Sequence, residues 1–297
     1  MKKSAIRHVK CSEAQPLVAM ALFDSLIQIW DLIGRIKLAE FASVLDFGGS
    51  RLALSADGER CFAASWYGGS RGGIAAYSSH TGEKLWHRSD LRETQYISLS
   101  HSGGAIWCVS DAAGARLLSV LDGKDVSRLK GATKVMELDG LRLIEFRTGL
   151  VLSSPSRDAM LTMHRVRSAA YSQSEVLISE FQGDLRCFDM DGVPLWARHP
   201  GESGHFTSVY FSQTMDLFYA IYFEFRGPSS GRSTLYAFDQ QSGDSARIAE
   251  TGSWEYDLSD VTRSLITAHG DAIDLASGLR SAALAVPQTD YPDPQSG

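Results

Sequence analysis

Ala76-Tyr77-Ser78-Ser79-His80-Thr81-Gly82-Glu83-Lys84-Leu85-Trp86 reads as the end of one strand, a tight turn at Thr81-Gly82, and a second strand that closes on a tryptophan. Just ahead of it, Leu54-Ser55-Ala56-Asp57-Gly58 leads into Cys61-Phe62-Ala63-Ala64. Apolar runs separated by Asp-Gly or Ser-rich pairs mark hairpins. The two phrases together make four antiparallel strands.

Both phrases recur down the chain. Copies of the first are Leu99-Ser100 before Ala105–Val109, Tyr171-Ser172 before Val176–Ile178, Phe211-Ser212 before Leu217–Ala220, and Leu258-Ser259 before Leu265-Ile266. Degenerate copies stand at Cys11-Ser12 and Leu138-Asp139-Gly140. Copies of the second run from Ile27 to Gly34, Leu117 to Gly123, Leu185 to Trp196, Leu235 to Gly243 and Ala272 to Gly278. The copy expected between residues 149 and 166 is too degenerate to read. A four-strand unit repeating every ~35–50 residues signals a radial array of blades. Units begin near residues 5, 50, 95, 133, 167, 206 and 253. Helical periodicity is hard to find, and one blade cannot bury both its faces, so neighbours must stack and close into a ring. The expected fold is all-β, a seven-bladed β-propeller of four-stranded antiparallel blades. It spans residues 1–286 as one domain, with 287–297 as a flexible tail. How the ring closes is not legible, because residues 1–4 are too few for a strand strap.

The stretch Ala76–Trp86 resembles the tryptophan-docking repeat of quinoprotein-type β-propellers, Ala-x-Asp-x-x-Thr-Gly-x-x-x-Trp, with Ser78 at the Asp position. The copy ending at Trp196 has Asp189 but is one residue short; the copy from Ala237 has Asp239 and Gly243 but Arg247 at the Trp position. Trp30-Asp31 and the turn Ser55–Gly58 also resemble WD40 repeats. The resemblance implies that Trp86 and Trp196 wedge between blades, where a large aromatic buries about 150–250 Å². It does not imply an activity. Quinone-binding members carry adjacent cysteines and calcium-binding carboxylates. No adjacent cysteine pair occurs here, so no cofactor is expected.

Composition excludes several classes of function. The 297 residues carry a net charge of −6 with Lys and Arg dispersed, and no basic block points to nucleic acid. Cys11, Cys61, Cys108 and Cys187 are far apart in apolar runs, which fits buried thiols in a reducing compartment. Met1-Lys2-Lys3-Ser4 is followed by no apolar signal region, and no apolar run approaches a membrane span. The expected location is the cytoplasm.

Three sets of residues are candidates for function. On the strands expected to line the channel, Glu137, Glu255 and Asp257 are carboxylates suited to a divalent metal or to acid–base work. Glu255 and Asp257, two apart on one strand, would face the same way. The eight histidines lack metal-site spacing, and no nucleophile elbow or Walker loop occurs. The glycine-rich Gly68–Gly73 opens no helix and makes a weak phosphate loop. The third set is on the connections opposite the tight turns, several of which are long: 42–50, 66–73, 89–95, 200–205 and 224–232. They carry Trp66, Tyr67, Arg71, Arg92, His205, Phe225 and Arg226, the aromatic-plus-Arg composition of interface anchors. The tight-turn face is expected to offer little side chain to a partner. The leading expectation is a non-catalytic propeller that binds another protein through the long-loop face, as an adaptor, an assembly factor or a bacterial immunity-type inhibitor. Neither nucleic acid nor membrane is an expected partner. The alternatives are a metal-dependent lactonase- or hydrolase-type enzyme using Glu137, Glu255 and Asp257, and a propeller that binds a sugar or small ligand.

Overall fold

A computed structural model describes residues 6–45, 49, 51–66, 71–110, 113–138, 141–147, 149–153, 158–161, 165–200, 204–227, 230–252, 255–282 and 284. Tyr67 and the expected tail 287–297 lie outside them. Seven four-stranded sheets follow one another, each built from four consecutive antiparallel strands. The innermost strands are Ile6–Cys11, Arg51–Leu54, Thr94–Leu99, Ala132–Leu138, Val166–Tyr171, Gly204–Ser212 and Tyr256–Ser259. The chain is therefore the seven-bladed propeller that the repeats predict. The described residues form no helix, and none that is long and apolar enough to cross a membrane.

The serine of the first phrase has a specific task. At the end of each of six innermost strands a buried serine, Ser12, Ser55, Ser100, Ser172, Ser212 or Ser259, accepts a turn amide on its hydroxyl. A short side chain thus replaces the missing ladder partner where the backbone reverses. At the outer turn, Asp31, Asp189, Asp239 and Asp274 accept amides two to four residues on. Ser78, which departs from the repeat's Asp, does the same through its hydroxyl with Thr81 N.

Seven hydrophobic clusters fill the seven blade interfaces, one each. In several blades the outermost strand packs against the turn glycine of the next. Phe41 lies over Gly82, Trp86 over Gly123, and Trp196 over Gly243. Trp86 Nε1 donates to Val120 O at 3.0 Å and Trp196 Nε1 to Gln240 O at 2.6 Å. Trp196 also stacks on Phe238, ring centroids 5.9 Å apart. In the blade whose repeat was unreadable, with outermost strand Asp158–Leu161, Ala159 and Leu161 fill the place over Gly192. Gly278 packs against Ile248 O and Ala249, so the Trp position held by Arg247 has lost its ring. Gly243 adopts φ +67°, and a Cβ there would stand 2.6 Å from the Trp196 ring. Gly243→Ala is expected to cost at least about 1–2 kcal/mol for the left-handed backbone alone. Thermal unfolding checks this, and an unchanged midpoint would show that the ring is not seated there.

Among the described residues the ring closes without strand exchange. Blade 1 supplies all four of its own strands, and side chains make the junction. Ile6, Val9, Cys11, Val18 and Met20 of blade 1 pack with Ile266 and Leu284. The buried Asp257 of blade 7 accepts Cys11 N at 2.7 Å and pairs with Lys10 Nζ at 3.2 Å. At the periphery Arg35 donates to Ala282 O.

One expected loop is corrected. The stretch 224–232 is the tip of an extended hairpin, formed by Leu217–Gly227 and Ser230–Phe238. Alternating side chains prolong the ladder from Phe218↔Phe238 out to Phe225↔Gly231. Gly231 is required there, because any Cβ would meet the Phe223 ring at 2.0 Å.

Candidate functional site

The innermost strands enclose a central channel with a cavity of about 1330 Å³. Its wall is shaped by a recurrent irregularity. At the long-loop end of the innermost strand the register slips at Arg7, Gln95, Thr133, Arg167 and Thr207, in blades 1, 3, 4, 5 and 6. A bulge inserts one residue and re-aims its neighbours. Consecutive residues therefore share the channel wall: Gln95 with Tyr96, Thr133 with Lys134, Arg167 with Ser168, and Thr207 with Ser208.

The channel's long-loop half carries Arg51, Lys134 and Arg167, with Arg147 and Arg165 at its rim, against Glu145 and Glu255. Lys134 Nζ donates to Arg167 O at 2.7 Å and lies 4.9 Å from the Tyr96 ring centre. Enclosure pushes its pKa down to about 8. Arg51 Nε donates to Gln95 O. Burial lowers the His8 pKa to about 3, helped by Arg51, Lys10 and Arg7, so this imidazole is neutral at physiological pH. Burial raises the Glu255 pKa to about 8, against the opposing pull of Arg51.

The three candidate metal ligands stand in different surroundings. Glu137 accepts Trp107 Nε1 at 2.8 Å and faces Arg142 at 3.7 Å. Asp257 is committed to blade closure. Glu255 precedes the strand Tyr256–Ser259 rather than lying on it. Among the described residues no group of three His, Cys, Asp or Glu side chains could hold a metal ion.

The partner-binding candidates fall on one face. Trp66 directly follows the second strand of blade 2, is 50% exposed and borders the channel mouth. Arg71 and Arg92 are exposed in their loops. His205 is not in a loop; it lies on Gly204–Ser212, half-buried between the rings of Phe223 and Phe225, and burial lowers its pKa. Phe225, 54% exposed, and Arg226, beside Glu224, lie on the projecting hairpin.

Further aromatics escaped the sequence reading. Phe23 and Phe181, 44% and 58% exposed, occupy the position of Trp66 in blades 1 and 5, and Phe223 occupies it in blade 6. Arg7 stacks on Phe23 and Arg167 on Phe181, at 5.3 and 4.9 Å. The available signal was position: each aromatic stands at the end of a second strand, just past or within its last residues. The opposite face is less bare than expected. Ile33, Leu121, Val193 and Leu279 stand exposed at the outer turns of blades 1, 3, 5 and 7. Being dispersed around the periphery, they form single apolar points.

No family model matches the chain, and no curated protein matches it. Solved structures do. The WD40 repeats of RRP9 align over 92% of this chain and 88% of that one, with TM-score 0.70 and 11% identity. The chain is a seven-bladed β-propeller and shares its fold with that structure. U3-55K aligns over 92% of this chain and 89% of its own, with TM-score 0.67 and 12% identity. BamB from Moraxella catarrhalis aligns over 93% and 81%, with TM-score 0.61 and 14% identity. At such identities the likeness concerns the fold, and function must be argued from the surface.

Proposed function

We propose that this propeller is a non-catalytic scaffold that binds another protein through its long-loop face. The observation that carries the reading is the ring of aromatics at one structural position. Phe23, Trp66 and Phe181 are exposed there, and Phe225 stands beyond them on the hairpin of blade 6. Aromatics flanked by arginines are the composition of binding hot spots, because they bring large apolar area at low entropic cost. Rigid blades hold these rings in place before a partner arrives, which lowers the cost of ordering. Adaptor, assembly factor and immunity-type inhibitor are roles such a face would serve.

The test begins with a partner captured from the native host. Trp66→Ala, Phe225→Ala and Arg226→Ala are each measured against it, after circular dichroism shows that they are folded. A true anchor should lose about 2 kcal/mol or more, roughly thirtyfold in Kd. Glu83→Ala and Asp191→Ala, exposed on the short-turn face, should change affinity little. Binding abolished by the second set and retained by the first would assign the working face to the other side.

A further inference from the structure

We infer that the long-loop half of the central channel is a binding site for oxyanions, carboxylate or phosphate. The inference stands apart from partner docking, since an ion can occupy the channel whether or not a protein covers the rim.

The argument starts from charge. The chain as a whole carries −6, yet this part of the wall places five cations, Arg51, Lys134, Arg147, Arg165 and Arg167, against two carboxylates, Glu145 and Glu255. These cations come from blades 2, 4 and 5, and bulges in blades 4 and 5 help to turn Lys134 and Arg167 into the channel. Among the described residues Lys134, Arg147, Arg165 and Arg167 form no ion pair. Glu145, the nearest carboxylate to Lys134 in sequence register, is engaged by Thr133 Oγ1 and by Val166 N. Two wall groups have buried nitrogens without a hydrogen-bond partner: Arg167 Nε and His8 Nδ1. Cations confined between low-dielectric walls focus their field along the channel. A planar carboxylate or a phosphate satisfies guanidinium donors in a way that water does only in part. The whole channel exceeds the usual range of small-molecule sites, so its long-loop half has room for one. It can hold a short acidic segment or a small multivalent anion.

The charge state gives the site a pH signature. Lys134 faces Glu145, Arg51, Arg167 and Tyr96; Glu255 faces Arg51, Arg7, Asp257 and Tyr256. With both Lys134 and Glu255 titrating near 8, raising pH from 7 to 9 removes a positive charge and adds a negative one. Anion affinity should therefore fall across that interval.

The experiment is titration calorimetry on the intact protein at low ionic strength. The probes are inorganic pyrophosphate and a hexaglutamate peptide, with hexalysine as the opposite-charge control. Saturable one-to-one binding of either anion, weakened by salt and absent for hexalysine, is the expected result. Lys134→Met and Arg167→Gln should each weaken it about tenfold or more, the scale of one lost charge-assisted hydrogen bond. Pyrophosphate binding alone would identify a free small anion as the source; hexaglutamate binding alone would identify acidic residues of a polypeptide. Should the inner variants fail to fold, Arg147→Gln and Arg165→Gln, exposed at the rim, carry the same prediction. The inference is overturned if neither anion binds, or if binding is unchanged by these replacements. Loss of anion binding with partner binding intact, or the reverse, separates this site from the docking face.

Discussion

Replacing Trp86 by alanine is expected to lower stability by about 3–5 kcal/mol, the range for deleting a large packed aromatic. The ring bridges two blades. It rests on Gly123 of the next blade, where even a Cβ would approach it to 2.8 Å, and lies 6.0 Å from Phe62 of its own blade. Its indole nitrogen donates to Val120 O across the interface. Alanine would leave a cavity at the interface and an unpaired carbonyl. Neighbouring blades are rigid sheets and cannot collapse into the gap without shifting their ladders. Urea unfolding followed by far-UV dichroism measures the loss. A midpoint and slope equal to wild type would show that the ring does not hold the blades together. Because Trp86 is remote from the channel, partner affinity of the folded variant should be unchanged.

The second large effect is expected at the ring's closure. Asp257→Ala should destabilise by about 3 kcal/mol, since it breaks one side of a buried pair. The Asp257 side chain is 9% exposed and has two partners from blade 1, Cys11 N and Lys10 Nζ. Its removal strands a buried amide and leaves the Lys10 ammonium without its counter-charge. The Asp257 carboxylate is also what most raises the pKa of Lys10. Lys10 is 35% exposed, so solvent softens the charge component, and the lost amide bond carries much of the effect. Asp257→Asn keeps an acceptor for Cys11 N and should fall between wild type and alanine. Among the described residues no strand is shared between blades 7 and 1, so little backbone pairing is available there to offset the loss. Chemical denaturation of the three proteins decides the matter, and an alanine variant as stable as wild type would remove Asp257 from the account of closure.

The blade architecture was legible because its signals are local. A serine that caps a turn recurs at a fixed place in six of the repeats, and an Asp or Ser that accepts the next amides recurs at a fixed place in most. Thr-Gly followed by Trp likewise marks where one blade meets the next. Where the docking side chain is Phe41 or Leu161, the same geometry persists with no tryptophan to announce it. The hairpin of blade 6 was read as a loop because Gly227 to Gly231 has turn composition; the ladder continues through it by cross-strand pairing that no local pattern reveals. The channel wall was hidden for two reasons. A bulge breaks the two-residue alternation from which facing is deduced, and so Arg167 and Lys134 appeared as ordinary strand residues. The cations that meet there are also far apart along the chain, from Arg51 to Arg167, so a search for basic blocks passes over them.

The most direct test of the working face is amide hydrogen exchange of the propeller with and without its captured partner. The account predicts slowed exchange at 64–66, 71–73, 180–184 and 222–227, where the aromatic rim and the blade 6 hairpin lie. Exchange in the tight turns at 56–59, 79–83 and 190–193 should be unaltered. Protection confined to those turns, with the long-loop segments unchanged, would contradict it.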